Sequence, residues 1–308
     1  MLVGEGAEVL FAVARVDVTV VVLVRATVSV AGAFGCTYRT DQFAIAQTRH
    51  RRFAGQERLD LFFRWFSAIA SPHVQVLARP RVGIIATGNE LVEVGSDPGP
   101  DQIISSSVHG VRPILEEAGA ETFDAGIALD ALDSLGSALD RCAAKGADLV
   151  VTLGGASVGD HDLVRPAFAR RGVSLSFERV AMRPGKPLMH GRDAERFYLG
   201  LPGNPVSSLV CARLFGQPLV ARLGGRPHRH RWIAARLGAD LGENDEREEF
   251  MRATLSGSDP VVATPFSSQD SSLVSRYAHA DGLVHRAAHA PPAPEGDECR
   301  VLVIREWG

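Results

Sequence analysis

Asp148-Leu-Val-Val-Thr-Leu-Gly-Gly-Ala-Ser-Val-Gly-Asp-His-Asp162 joins a short apolar run to a glycine-rich turn carrying two aspartates. Five residues bounded by glycines are too few for a helix and suit a strand buried on both faces, the kind found in parallel sheets. Working outward, the same cycle of apolar run, polar turn and amphipathic helix recurs on both sides. Val82 to Ala86 leads into Thr87-Gly-Asn-Glu90, and further strands are expected at Thr122 to Ile127, Ser174 to Val180 and Phe197 to Leu201. Helices are predicted over Val108 to Ala118, Ala131 to Lys145, Leu163 to Arg171 and Val206 to Leu223. On the helix Ala131 to Lys145, Leu132, Leu135, Leu139 and Cys142 recur at helical spacing, the mark of a core-facing stripe. This alternation is the pattern of βαβ units and predicts an α/β fold built on a parallel sheet.

The cycle stops at Gly224-Gly-Arg-Pro227, where two breakers in a row start a different pattern. Short β-like runs follow at Trp232 to Leu237, Glu249 to Leu255, Val261 to Thr264 and Val301 to Ile304, separated by Asp, Gly and Pro, which suits a small β-barrel. Residues 1–73 read differently again: they hold seven of the 14 phenylalanines but only one of the 17 prolines, Pro72. The expected organisation is therefore 1–73 unassigned, 74–225 an α/β domain and 226–308 a β-barrel.

Composition excludes several classes. The 308 residues are 45% hydrophobic and 22% charged with a net charge of −3, which fits a soluble globular protein and leaves no basic footprint for nucleic acid. The valine-rich stretch from Phe11 to Phe34 is broken by Arg15, Asp17 and Arg25, and its alternation suggests strands rather than a membrane span. The amino terminus lacks a basic n-region, so a cytoplasmic location is expected. Cys36, Cys142, Cys211 and Cys299 are too far apart to read as a zinc site or a disulfide framework. His228 and His230 lack a third ligand and are read as solvated linker residues, and His279, His285 and His289 as scattered.

In an open parallel sheet, ligands bind where the strands end at their carboxyl side. Three strand ends carry Glu90, Asp130, Asp160 and Asp162, hard oxygen donors of the kind that hold Mg²⁺; Asp130 taken alone reads equally well as a helix N-cap. Gly154, Gly155 and Gly159 would allow a bulky anion to approach the backbone. Met182-Arg-Pro-Gly-Lys-Pro187 sets Lys186 between two prolines as a point charge for an oxyanion; the only other lysine is Lys145. Pro202 and Pro205 bracket Gly203 and Asn204 directly before a helix whose start, at Ser207 and Ser208, suits an anion, with Asn204 as its cap.

Taken together, Thr87-Gly-Asn-Glu-Leu91, the Gly154 to Asp162 turn, Arg183-Pro-Gly-Lys-Pro187 and Gly200-Leu-Pro-Gly-Asn-Pro-Val-Ser208 resemble the MoeA family of molybdopterin molybdenumtransferases, which includes the E domain of gephyrin. The likeness runs from about Val74 to the carboxyl end, and the four motifs as a set are highly specific, although the first also occurs in MogA- and MoaB-like relatives. It implies a three-layer αβα molybdopterin-binding domain followed by a small β-barrel. The implied reaction is Mg²⁺-dependent insertion of molybdate into adenylylated molybdopterin with release of AMP. By the same likeness Glu90, Asp130, Asp162 and Lys186 would be catalytic, and Glu90, Asp130, Asp160 and Asp162 would hold the metal. Thr87, Gly88, Gly154, Gly155, Ser157, Gly159, Pro202, Gly203, Asn204, Pro205 and Ser207 would bind substrate. A MogA-like adenylyltransferase would be the partner supplying that substrate, and a homodimer is expected.

Three departures stand out. Asn89 replaces the aspartate common in the first motif, and Ser105-Ser106-Ser107 replaces the usual set of Asp or Asn, hydroxyl and Asn. The family's front domains carry an Asp-Gly-Tyr-Ala signature that residues 1–73 lack, and a shifted reading frame or misplaced start upstream of Val74 is the expectation. Translating the neighbouring DNA in the other two frames tests it. The competing readings are a MogA-like molybdopterin adenylyltransferase and a non-catalytic molybdopterin-binding remnant.

Overall fold

The structure is a computed structural model that describes residues 77–155 and 163–307, together with the backbones of two strands near the amino end, 7–13 and 20–26. These two, β1 (Ala7–Val13) and β2 (Val20–Ala26), pair antiparallel with Ala7 opposite Ala26. They carry the strand reading of the valine-rich stretch, while its alternating segment Val16 to Thr19 lies outside the described residues, as do Cys36 and the rest of 27–76. Among the described residues no helix is long and apolar enough to cross a membrane.

Residues 80–308 form one compact unit. Its first sheet contains β3 (Arg81–Thr87), β6 (Glu121–Ala128), β7 (Leu149–Leu153), β8 (Ser174–Phe177), β10 (Met189–Arg192) and β11 (Phe197–Leu201), in the order β6-β3-β7-β11-β10-β8. Strands β6, β3, β7 and β11, the first four in that order, run parallel. Burial on both faces explains the apolar runs of β3, β7 and β11: Ile84 faces one hydrophobic cluster and its neighbour Ile85 the other. Helices α1 (Ser107–Glu117), α4 (Pro205–Cys211) and α5 (Gln217–Leu223) cover one face, and α2 (Leu132–Ala144) and α3 (Val164–Arg170) the other, giving three layers. The predicted stripe on α2 holds, with Leu135, Leu139 and Cys142 buried and Leu132 packed beside them.

Two expectations are corrected here. The sheet is mixed, because β10 runs antiparallel to β11 and to β8; it returns through a short connection that leaves no room for a crossover helix. The predicted single helix Val206 to Leu223 is divided by a π-helical segment, Ala212–Gly216. There Gly216 lies against Leu115 and Leu199, where a side chain would collide 2.8 Å from Leu115.

The second sheet closes into a five-stranded barrel. Strands β12 (Trp232–Leu237), β13 (Glu248–Ser256), β14 (Val262–Pro265), β15 (Gly282–Arg286) and β16 (Glu298–Val303) follow the order β14-β12-β16-β15-β13, and β13 pairs back onto β14. A sixth piece joins from far away in sequence: β9 (Met182–Arg183) adds parallel to β13. The Met182 to Pro187 segment, expected as a turn of the first domain, therefore begins as a strand of the second sheet. Phe250, Leu283 and Leu302 of the barrel belong to the same buried cluster as Ile84 and Leu199 of the first sheet. One continuous core thus fixes the barrel against the α/β layers.

His228 and His230 are not simply solvated. Their rings meet at 3.2 Å, and the other His230 nitrogen lies 3.2 Å from the carbonyl of Leu214 in the π segment. Burial lowers the pKa of both imidazoles. His285 sits 3.3 Å from Glu248.

Candidate functional site

The parallel strands β6, β3, β7 and β11 all end at one edge of the first sheet, and the motif residues follow directly from those ends. Thr87 pairs with Ala128, Ala86 with Leu153, and Leu153 with Leu201, so four adjacent loops start side by side. The small pairing of β4 (Leu91–Val92) with β5 (Ile103–Ile104) continues from the first of these loops.

Glu90 and Asp130 come from neighbouring ends. The N–H of Gly88 donates to the Ala128 carbonyl at 3.1 Å, carrying the ladder one step past the strands. Gly88 has φ +153°, and a Cβ there would stand 2.6 to 2.8 Å from the Glu90 carboxylate. The carboxylate of Glu90 therefore lies over the bare Cα of Gly88, in the space that a side chain at position 88 would take. Asp130 reaches the same loop from the other side: its Oδ2 accepts the Asn89 N–H at 3.3 Å, and its own N–H donates to Asn89 Oδ1 at 3.0 Å. The cap reading of Asp130 is thus corrected. The N-cap of α2 is Ala131, whose carbonyl receives the Leu135 N–H, and the Asp130 side chain is spent on the adjacent loop instead.

The third loop is held close to the first. Thr87 is buried and its hydroxyl donates to the Leu153 carbonyl at 3.3 Å. Gly154, at φ +94°, is so near that a Cβ would lie 2.7 Å from the Thr87 carbonyl. Gly155 follows, half-buried against Val164. Ser157, Gly159, Asp160 and Asp162 lie outside the described residues.

The fourth loop closes against Gly154, since a Cβ on Gly203 would touch the Gly154 Cα at 3.4 Å. Pro202 is buried, Gly203 and Asn204 are exposed, Pro205 opens α4, and Ser207 is buried. Asn204 occupies the cap position but makes no side-chain cap bond, contrary to expectation. Its Nδ2 donates instead to Ser271 Oγ at 2.9 Å, while the Val206 N–H donates to the Ser271 carbonyl at 3.1 Å. The start of α4 is thereby covered by a loop from the barrel region rather than open to an anion at every N–H.

That loop is anchored by a residue that sequence reading missed. Arg252 on β13 is almost wholly buried; its Nε donates to Gln269 at 3.1 Å and its Nη1 to the Asp270 carbonyl at 2.9 Å. Burial lowers its pKa. An isolated arginine in a strand gives no local signal of such a role, because its partners lie 17 and 18 residues away.

Lys186 is exposed just before β10, whose first residue, Met189, pairs with Gly200 near the end of β11. It therefore emerges at the same edge, and it takes part in no ion pair among the described residues. Arg183, three residues earlier, is committed elsewhere. It forms a two-pronged pair with Glu249 at 2.9 and 2.7 Å and reaches Asp245 at 3.4 Å. Hydrogen bonding to Glu249 raises the Arg183 pKa, and the Arg247 guanidinium holds Asp245 down to about 2. The Lys186 loop is thus clamped to the barrel from its amino side. Ser105 is buried, Ser106 caps α1 by position without a side-chain bond, and Ser107 begins the helix.

Comparison with known proteins meets this geometry at both sheets. The family described as "Probable molybdopterin binding domain" matches residues 83–222, and the MoeA C-terminal region (domain IV) matches residues 234–304. This chain belongs to the MoeA family. Among relatives of this MoeA chain, the molybdopterin molybdenumtransferase of a Nostoc species is 36% identical over 61% of the chain and 44% of the relative. That of Bacillus subtilis is 33% identical over 76% of the chain and 54% of the relative. A solved molybdopterin biosynthesis MoeA protein from Pyrococcus horikosii superposes with a TM-score of 0.68 at 28% identity, covering 87% of this chain and 64% of that one. The MoeA chain spans about half the length of the curated relatives it matches.

Proposed function

We propose that the strand-end cluster carries out the MoeA reaction: Mg²⁺-dependent insertion of molybdate into adenylylated molybdopterin, with release of AMP. The observation that carries this reading is the convergence of Glu90, Asp130, Gly154 and the Pro202 to Pro205 turn at one sheet edge, beside Lys186.

Among the described residues no three or more His, Cys, Asp or Glu side chains gather as a metal site, so a hard divalent cation would rest on Glu90 and Asp130 together with Asp160 and Asp162, which lie outside them. Glu90 and Asp130 offer carboxylate oxygens from adjacent loops, and neither is tied up in an ion pair among the described residues; Asp160 and Asp162 would complete the set. A bound Mg²⁺ would neutralise charge on the phosphoanhydride that is cleaved. The chain's own residues supply the rest. Gly154 is buried with its N–H given to the Leu201 carbonyl, so half-buried Gly155 beside it would be where an anionic group approaches the backbone, and Lys186 would place a compact positive charge at the oxyanion. Pro202 and Pro205 stiffen the fourth loop, and the bonds from Asn204 and Val206 to Ser271 keep it in place, so little reorganisation is left for the reaction itself. Thr87, Gly88, Gly155, Gly203 and Ser207 on these loops would be substrate contacts, joined by Ser157 and Gly159, which lie outside the described residues.

A homodimer in the cytoplasm, fed by a MogA-like adenylyltransferase, completes the proposal. Single-turnover AMP release from adenylylated molybdopterin tests it, with and without molybdate and Mg²⁺. Consumption of ATP with free molybdopterin would point to the adenylyltransferase reaction instead, and ligand retention without turnover to a binding remnant.

A further inference from the structure

We propose that Asn89 is a positioning residue that locks the Asp130 carboxylate into the strand-end cluster, an inference that rests on the reading of that cluster as a cation and oxyanion site. The two residues exchange side-chain-to-backbone hydrogen bonds in both directions: the Asp130 N–H to Asn89 Oδ1 at 3.0 Å and the Asn89 N–H to Asp130 Oδ2 at 3.3 Å. They are 41 residues apart and both exposed, so no burial holds them together. The exchange continues the ladder of β3 and β6, one bond beyond Gly88 and Ala128. Without it, Asp130 would stand on the exposed connection between β6 and α2, next to the exposed Leu129, with no other bond to its side chain among the described residues.

The amide suits this task in a way that a carboxylate does not. An aspartate at position 89 could also accept the Asp130 N–H, but it would set a second negative charge against the Asp130 carboxylate, with Glu90 one residue on. The neutral amide holds the loop and leaves Asp130 as the only charge of the pair. With Oδ1 committed, the Nδ2 hydrogens are the remaining polar group of the side chain, and they are donors, suited to an oxygen of the ligand.

Amide hydrogen exchange at Asp130, measured by NMR on the full chain, reads the lock directly. Asn89→Ala is expected to speed exchange at that amide about fivefold to tenfold, the worth of one net hydrogen bond. Asn89→Asp, which keeps the acceptor, is expected to restore protection. Melting temperatures close to the parent's in both variants would separate positioning from general destabilisation. Unchanged exchange in Asn89→Ala overturns the proposal, as does failure of Asn89→Asp to restore it. Mn²⁺ binding gives the second readout: Asn89→Ala and Asp130→Asn should both weaken it. If Asp130→Asn leaves Mn²⁺ affinity unchanged, the cation reading of the cluster falls, while the exchange data still decide whether the lock exists.

Discussion

Glu90 and Gly88 show how much of the site is decided by single atoms. The Glu90 carboxylate occupies the space that any side chain at position 88 would need, at 2.6 to 2.8 Å from an added Cβ. Gly88→Ala should therefore displace Glu90 while leaving the fold intact. A displacement of about 1 Å at a reacting centre costs on the order of 100-fold in rate. Steady-state AMP release beside a circular dichroism spectrum checks this; a variant with full activity would place Glu90 outside the chemistry. At this scale the sequence was partly legible. The residue types at the strand ends pointed to Glu90, Asp130, Gly154 and the Pro202 to Pro205 turn, which the structure brings to one sheet edge, but the partners of Asp130 and Asn204 did not follow from local pattern. Asp130 precedes a helix and Asn204 occupies a cap position, so capping was the simple expectation for each. In the structure each side chain instead crosses to another loop, over 41 and 67 residues respectively.

At the scale of elements, the barrel controls the site through two contacts with the first domain. Arg252 holds the loop that carries Ser271, and Ser271 accepts bonds from Asn204 and Val206. Arg252→Met keeps much of the volume but removes the donor to the Asp270 carbonyl and one of the two donors to Gln269 Oε1, the other being the backbone N–H of residue 252. The expected cost is about 1–3 kcal/mol, read by chemical denaturation, together with faster amide exchange at Val206. Unchanged exchange there would disconnect Arg252 from the fourth loop. Leu199, 1% exposed on β11 beside the π segment, gives a packing test. Leu199→Ala should cost about 2–5 kcal/mol, whereas a loss well under that range would mean that the π segment relaxes into the space. The long, evenly patterned elements were legible in the sequence because burial imposes their period. The short ones were not: β9 and β10 have two and four residues and include Gly191 and two arginines, too little for any period to register. The π segment leaves the helical pattern intact and shifts only its phase.

At the scale of the molecule, residues 80–308 share one core across both sheets. They should unfold in a single cooperative transition; two calorimetric peaks from the α/β layers and the barrel would contradict this. The pH dependence follows from histidines. Burial lowers the pKa of His190, His228 and His230, so the unfolded chain binds protons that the folded chain refuses. Stability from these groups is therefore full above the ordinary imidazole value of about 6.5 and is lost as the pH falls toward their depressed folded values. Denaturation midpoints should be level above neutrality and fall in mildly acid buffer. His190→Gln should lessen that fall, and an unaltered profile would remove His190 from the account. The two-part plan of residues 80–308 was visible in the change of pattern at Gly224-Gly225, but the joining of β9 to the barrel was not, because strand pairing between distant segments leaves no local trace.

The central claim is that four strand-end loops form one site for molybdate insertion. Single-turnover release of AMP from adenylylated molybdopterin tests it most directly, using the purified chain with molybdate and Mg²⁺ beside Glu90→Ala and Asp130→Asn. Molybdate-dependent release in the parent, lost in both variants, is the expected result. Release that is equal in parent and variants, or absent in the parent while it still binds the substrate, would contradict it.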